Sequence, residues 1–356
     1  MLFEPIEIVG LHIPNRFVRS ATHEWLAGED GTPTPAIGDM YEELAKYEVG
    51  LIISGYSYVN QAGKSSQAQQ GIYNDRFIEP YRQITGRVHK YNSKIALQIV
   101  HGGRQALITP EYPHTLAPSA VKDSSSGITP QPMTEEQIQR TIEDFAQAVR
   151  RVHVAGFDAV QLHIAHGFLL SSFISPYTNQ RTDEWGKSVE NRTRIIVEII
   201  RHAREMVGED FPIMAKMNAT DGFGYKGLDA PECVDVAVAL ESAGVCAIEV
   251  SGGIFEAGEV MSRPGINSQE EEAYFREYAR MIKQGVSIPV ILVGGLRSRS
   301  VMEEMLASGY ADMVSLCRPL IMEPDLLVKF RQGVREAGCT SCNRCFDENG
   351  VRCNSR

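Results

Sequence analysis

The chain has no run of 18 apolar residues, so no membrane-spanning helix is expected. Its opening, MLFEPIEIVGLHIPNRF, carries acids and prolines where a secretory leader has a basic stretch and then an apolar one, so no signal peptide is expected. An excess of positive charge is lacking too. There are 35 Lys and Arg against 45 Asp and Glu, a formal net charge of −10. That argues against nucleic acid or an anionic membrane surface as partner, since both favour basic patches. No G-x-G-x-x-G turn follows an early strand, which counts against a doubly wound dinucleotide fold. No internal repeat or low-complexity segment stands out. A cytoplasmic globular protein is the expectation.

What is present is ordinary core-forming composition: 356 residues, 43% hydrophobic and 22% charged. A β-then-α rhythm runs through it. Short, nearly continuous apolar runs predict strands near 17–21, 50–54, 95–99, 158–163, 212–217, 246–251, 289–293 and 312–316. Such runs suit strands buried on both faces of a parallel sheet. Helical spacing predicts helices over 34–49, 134–156, 188–208, 229–244 and 300–309. Thr134 is the expected N-cap of the second, and Gly156, Gly208, Gly244 and Gly309 are expected stops. Eight strands in about 320 residues predict an α/β fold of the TIM (β/α)₈ type, one domain over 1–335 with a Cys-rich tail over 336–356. Residues 102–133 hold five prolines and three glycines and resist assignment. After the third strand they are expected to lie over the catalytic face as a lid or a rim cover.

In a barrel of this kind the active site sits at the C-terminal strand ends. Those ends supply Ser20, Ala21, Thr22 and His23, then Gly55 and Tyr56, then Gln98, His101 and Arg104. The fourth strand gives His163 and His166, the fifth Lys216 and Asn218, and the sixth Ser251, Gly252 and Gly253. The last two give Gly294 and Gly295, then Cys317 and Arg318. Loops after strands 7 and 8 often bind phosphate. Two glycines let backbone N–H groups approach closely, and an arginine adds a planar fork. The bland alternative is a tight turn and a surface ion pair. Gln98 both donates and accepts, which suits a planar ring with alternating N–H and C=O edges. Lys216 either holds negative charge on that ring or pairs with an axial acid. His163 and His166 grip a small anion or a carbonyl oxygen, or ligate zinc with His101 or His23 as a third ligand. No Asp or Glu stands at the strand ends as an obvious general base.

Seven cysteines are present, four of them crowded near the end: Cys339, Cys342, Cys345 and Cys353. In an intracellular chain such crowding suggests a metal or cluster site more than a disulfide scaffold.

Four motifs carry a resemblance: IPNRFVRSAT, QIVHGGR, HIAHGFLLSSFISPYTNQRTDEWGKSVENRTR, and VGGLRS followed by ADMVSLCRPLIMEPDL. Across residues 1–335 the chain resembles the Old Yellow Enzyme family of FMN-dependent, NAD(P)H-consuming ene-reductases. The resemblance implies a TIM barrel with FMN at its C-terminal face. Ala21, Thr22, Gly55 and Tyr56 would flank the flavin, Gln98 would bond its pyrimidine edge, and Lys216 would lie near N1. Gly294, Gly295, Cys317 and Arg318 would hold the phosphate. His163 and His166 would polarise the oxygen of an α,β-unsaturated carbonyl-type substrate, an oxyanion-hole role, while hydride passes from flavin N5. Tyr56, Phe168, Tyr177 and Arg104 would border the substrate.

Two departures stand out. The family usually has a proton-donating Tyr two residues after the second histidine; here the residue is Phe168. General-acid help is typically worth ~10²–10⁴ in rate, so water or another group (Tyr56 and Tyr177 are candidates) donates, or the reaction differs. His23 also falls where members vary, near the flavin's reactive edge. It is similar to the dienoyl-CoA reductase and trimethylamine dehydrogenase branch. That branch binds a 4Fe-4S cluster through a segment that CTSCNRCFDENGVRC resembles, although the later spacing here is shorter. Cluster, structural zinc and reduced free thiols all remain open. The branch's large flavin and pyridine-nucleotide domains are not in the sequence, so a cluster would serve an external electron-transfer partner or be structural. A homo-oligomer, an electron-transfer subunit and a histidine-ligated metal hydrolase stay as alternatives.

Overall fold

The computed structural model describes residues 1–355. Eight parallel strands close on themselves: β1 (Phe17–Arg19), β2 (Leu51–Ile53), β3 (Lys94–Val100), β4 (Ala159–Ile164), β5 (Ile213–Asn218), β6 (Ile248–Ser251), β7 (Val290–Val293) and β8 (Met313–Leu316). Each pairs with the next, and β8 pairs back with β1 through Val314 opposite Phe17. This is the single-domain (β/α)₈ barrel expected from the apolar runs, with boundaries shifted by one or two residues. Alternate strand residues point inward. The lower inward layer is apolar, with Val18, Leu51, Ala96, Ala159, Met214 and Met313. An N-terminal hairpin, Ile6–Ile8 against Leu11–Ile13, adds Ile8 and Ile13 to that cluster and closes the lower end.

The helices form the outer ring: α1 (Pro35–Lys46), α2 (Ile78–Val88), α3 (Glu135–Val154), α4 (Val189–Val207), α5 (Ala230–Ser242), α6 (Arg276–Gly285), α7 (Arg299–Ala307) and α8 (Leu326–Arg331). Thr134 caps α3 as expected. Its hydroxyl accepts from Gln137 N at 3.3 Å while Gln137 Oε1 accepts from Thr134 N at 2.9 Å. Reciprocal caps satisfy two donors that a helix start otherwise leaves bare. The buried stripe Ile138, Ile142, Phe145, Val149, Val152 recurs at helical spacing and packs α3 inward. Helix α7 begins one residue before the expected Ser300, and Ser298 ahead of it donates its hydroxyl to the buried carboxylate of Glu272 at 2.5 Å. Helices α2 and α6 carry no strong start signal and were not expected.

Residues 102–133 are a rim cover. They form a 3₁₀ turn at Gly103–Gln105 and a two-residue parallel pairing of Leu116–Ala117 with Gln131–Pro132. Asp123 gathers this excursion by accepting from Ser125 N at 2.8 Å, Ser125 Oγ at 2.6 Å and Gln105 Nε2 at 2.5 Å. The Cys-rich segment lies on the barrel mouth. Val351 N donates to Glu24 O at 2.9 Å, which ties it to the loop after β1.

Candidate active site

Above the apolar layer the inward residues turn polar, and the strand register stacks them. Lys216 is in register with His163 on one side and with Glu249 on the other. Glu249 Oε1 accepts from Ser20 Oγ at 2.7 Å, Ser315 Oγ at 2.8 Å and Lys216 Nζ at 3.4 Å. Its Oε2 accepts from Gln161 Nε2 at 3.0 Å, and Gln161 Oε1 accepts from Gln98 Nε2 at 2.7 Å. Burial alone would raise the Glu249 pKa, but Lys216 and the donors outweigh it and hold the carboxyl below its ordinary range. The axial acid weighed for Lys216 is therefore Glu249, and Lys216 still reaches the cavity above.

That cavity measures ≈ 320 Å³, in the size range of cofactor sites. Its walls include Ala21, Thr22, His23, Tyr56, Gln98, His163, His166, Phe168, Lys216, Gly294, Gly295, Cys317 and Arg318. One space thus unites most of the residues singled out from the strand ends. Thr22 Oγ1 lies 2.9 Å from Cys317 Sγ, closing the wall between β1 and β8.

His163 and His166 meet edge to face with ring centroids 5.0 Å apart. His166 follows β4 at φ 66, the left-handed region, and Gly167 continues it at φ 80. This reversal turns the His166 ring so that Nε2 lies 2.8 Å from Ser251 Oγ, while Asn218 Oδ1 accepts its backbone N–H at 3.1 Å. A side chain at 167 would be strained by φ and would meet Ile254 Cβ at 3.2 Å. His163 Nδ1 is buried without a partner. Burial, then His166 and Lys216, hold the His163 pKa well below its ordinary 6.5; burial and then Lys216 do the same for His166. Both rings are neutral near pH 7. Beside them Phe168 packs on His163 at 4.9 Å and on Tyr56 at 5.4 Å, and Tyr56 packs on His23 at 5.2 Å. His23 stacks on Trp25 at 4.2 Å, and burial lowers its pKa to about 4.

Three expected residues are placed elsewhere. Arg104 does not line the cavity. It is buried in an ion pair with Glu256 at 3.1 Å, because the rim cover folds down over it. Tyr177 packs against Phe223 with centroids 5.0 Å apart, also outside. Gly55 stands behind the wall. Its N–H donates to Glu24 Oε1 at 2.6 Å, in a buried cluster where Tyr41 Oη also donates to Glu24 and Gln70 Nε2 reaches Oε2 at 3.0 Å. A Cβ at 55 would fall 2.0 Å from Glu24 Oε2. His101 turns its Nδ1 to Gly103 N at 3.0 Å. Among the described residues no three His, Cys, Asp or Glu gather at metal-binding geometry, so the zinc alternative for His163 and His166 finds no third ligand.

The structure adds wall residues that strand ends alone did not indicate, among them Trp25, Phe255 and Tyr274. Ser341 and Phe346 come from the Cys-rich segment itself. Cys339, Cys342, Cys345 and Cys353 share a second, smaller cavity of ≈ 60 Å³ with Arg318. Burial raises the Cys339 pKa and pushes that of Cys345 up to about 12, whereas the hydrogen bond to Ser355 lowers that of Cys342. The sulfurs share a pocket, yet no three stand in ligating geometry among the described residues. No step is derived through a cluster.

A parallel barrel with an amide, a lysine, a histidine pair and a Gly-Gly/Arg corner around one deep cavity is the arrangement that the family resemblance implied. The profile of the NADH:flavin oxidoreductase / NADH oxidase family matches residues 1–337. The NADH oxidase of Thermoanaerobacter brockii is 37% identical over 364 residues, covering 99% of this chain and 55% of that protein. The chain thus spans about half the length of that relative. The NADPH dehydrogenase of Bacillus subtilis (strain 168) is 34% identical over 324 residues, covering 91% of this chain and 92% of its own length. Among solved structures, an old yellow enzyme homologue from Zymomonas mobilis superposes with a TM-score of 0.78 at 26% identity, covering 94% of each chain. The chain belongs to the NADH:flavin oxidoreductase / NADH oxidase family, that of the Old Yellow Enzymes. The family is one of flavin-dependent, NAD(P)H-consuming oxidoreductases. No helix among the described residues is long and apolar enough to cross a membrane.

Proposed function

We propose that the enzyme reduces a flat, uncharged, electron-poor substrate, of the α,β-unsaturated carbonyl type, whose acceptor oxygen is held by His163 and His166. The observation that carries this is the pair of neutral imidazoles at the cavity wall, set edge to face with Phe168 and Tyr56 beside them. Neutral rings donate hydrogen bonds without placing a full positive charge beside Lys216. They stabilise negative charge as it grows on the substrate oxygen. Tyr56, Phe168 and Phe255 supply an apolar wall that orients a planar molecule and excludes water.

The cavity also fits FMN. Gln98 and Lys216 would meet the pyrimidine edge, with Thr22 and His23 along the ring. Gly294, Gly295, Cys317 and Arg318 would hold the phosphate. When bound, FMN supplies hydride acceptance from NAD(P)H and hydride donation to the substrate. Residues 1–335 form the FMN-binding barrel in this reading, residues 336–356 an appended segment, and the setting is cytoplasmic.

The test is anaerobic stopped-flow on FMN-loaded enzyme. The flavin should bleach with NAD(P)H and regain colour with an enone. His163→Ala should slow the second step by roughly 10²-fold while FMN content is kept. Equal enone rates in wild type and His163→Ala would refute the clamp.

A second reading is favoured by the shared pocket of the four cysteines against Arg318. In it the tail passes electrons between the flavin and an electron-transfer partner protein. Iron and zinc counts on protein made without air, with an electron paramagnetic resonance spectrum after reduction, test it. Absence of both metals and of a signal rejects it.

A further inference from the structure

Arg318 has two hydrogen-bonding edges, and the structure occupies only one side of it. Its Nη1 is claimed by three oxygens: Asn343 Oδ1 at 2.7 Å, Arg263 O at 2.8 Å and Ser341 O at 3.0 Å. Two hydrogens shared among three acceptors fix the plane of the guanidinium. Nε and Nη2 take no acceptor among the described residues, and neither is sealed from solvent. That leaves the Nε–Nη2 fork, the geometry that matches a phosphate in two parallel bonds.

Two of the three anchors come from the Cys-rich segment. Ser341 and Asn343 both adopt left-handed backbone, at φ 54 and φ 61. Asn tolerates that conformation better than most residues. The Asn343 amide is itself fixed from outside the segment. Its Nδ2 donates to Ser262 O at 2.9 Å and its Oδ1 accepts from Ser262 Oγ at 3.2 Å. Ser341 O also accepts from Gly265 N at 3.0 Å. Asn343 therefore joins the loop after β6, the start of the chain after β8, and the tail. Arg318, Ser262 and Ser341 all line the large cavity, as Gly294 and Gly295 do.

We infer that Asn343 is a positioning residue for the cofactor phosphate: by holding Nη1 of Arg318 it presents the free fork to the phosphate of FMN. The inference rests on the assignment of Arg318 to that phosphate. It makes the tail part of the cofactor site, and by linkage FMN and an ordered tail favour each other.

The experiment compares FMN with riboflavin, which lacks the phosphate, by fluorescence titration of the full-length apoprotein. Asn343→Gly removes the side chain without left-handed strain. It should weaken FMN about tenfold, in keeping with loss of a hydrogen bond to a charged group, and leave riboflavin unchanged. Ser262→Ala should give a smaller loss in the same direction. Because Asn343 acts through Arg318, Asn343→Gly combined with Arg318→Ala should bind FMN no worse than Arg318→Ala alone. Equal weakening of FMN and riboflavin by Asn343→Gly would reduce the residue to a structural role and overturn the inference. So would additive losses in the double variant. If Arg318→Ala itself leaves the preference for FMN over riboflavin intact, the phosphate assignment fails, and the inference fails with it. If Arg318→Ala abolishes that preference while Asn343→Gly does not touch it, only the inference falls.

Discussion

Lys216 and Glu249 face each other inside the barrel in strand register, Nζ to Oε1 at 3.4 Å, with both side chains almost wholly buried. The carboxylate also collects Ser20, Ser315 and Gln161, so it fixes the floor under the cavity from four strands. Glu249→Ala leaves a buried lysine without its partner and should destabilise the fold by about 3–5 kcal/mol in urea unfolding. The native state holds this carboxyl below its ordinary 4.5. Its contribution is therefore present above about pH 4.5 and is lost as pH falls through the lower native value. Glu249→Gln should flatten that acid limb. An unchanged limb would mean that the pair does not govern it.

Histidines should set an earlier acid transition. Burial holds His23 and His101 near pKa 4 and His163 and His166 well below 6.5. The unfolded chain protonates these rings near 6.5, whereas the native chain keeps them neutral. Stability is therefore full above that pH and falls below it, by up to about 1.4 kcal/mol per pH unit for each ring. Urea midpoints at pH 7 and pH 5 test this, and His101→Asn should make the decline shallower. Identical midpoints at the two pH values would contradict the neutral assignment.

Phe168 itself brings no acidic proton to the histidine pair; its ring is bounded by His163, Tyr56 and Phe255, and the phenol-bearing neighbour is Tyr56, its ring centroid 6.1 Å from that of His163. Phe168→Tyr places a phenol there. It should accelerate enone reduction, by up to the ~10² at the lower end of general-acid effects, and introduce a solvent isotope effect on that step. A slower variant with no isotope effect would show that this wall is shaped for a reaction needing no donor at 168.

Arg104 and Glu256 latch the rim cover to the loop after β6, and Glu256 Oε1 also accepts from Ser124 N at 3.2 Å. Arg104→Ala should cost about 3–5 kcal/mol and speed proteolysis within residues 102–133. The KM for an enone should stay within twofold of wild type, because the side chain does not reach the cavity. A KM rise of tenfold with the fold intact would return Arg104 to the substrate.

Much of this was legible because barrel strands are short, apolar and bounded by loops, and the chemistry lies directly after them. Lys216, Gln98, His163 and Arg318 could be placed by counting from strand ends alone. Glu249 and Gln161 sit inside strands as those residues do, and escaped notice because the polar residue nearer each strand's end, Ser251 in β6 and His163 in β4, stood in their place. A charged residue between Ile248 and Val250 was the available signal, since an acid buried in a barrel needs a partner. Arg104 is the opposite case: it follows a strand, but the rim cover that pairs it with Glu256 leaves no local pattern. Helices α2 and α6 lacked start signals because neither preceding residue, Phe77 or Phe275, caps with its side chain. The tail's place in the cavity wall depends on contacts across some 320 residues, which no local spacing encodes.

Those long contacts bear on how the enzyme is made. One wall runs from residues 20–25, and another part from Ser341 and Phe346. The pocket is therefore incomplete on the ribosome until the chain as far as Phe346 has emerged. Flavin capture must then wait for the synthesis of that segment. A nascent barrel without it is open at the mouth, with its histidines and aromatic wall exposed to water and to other chains.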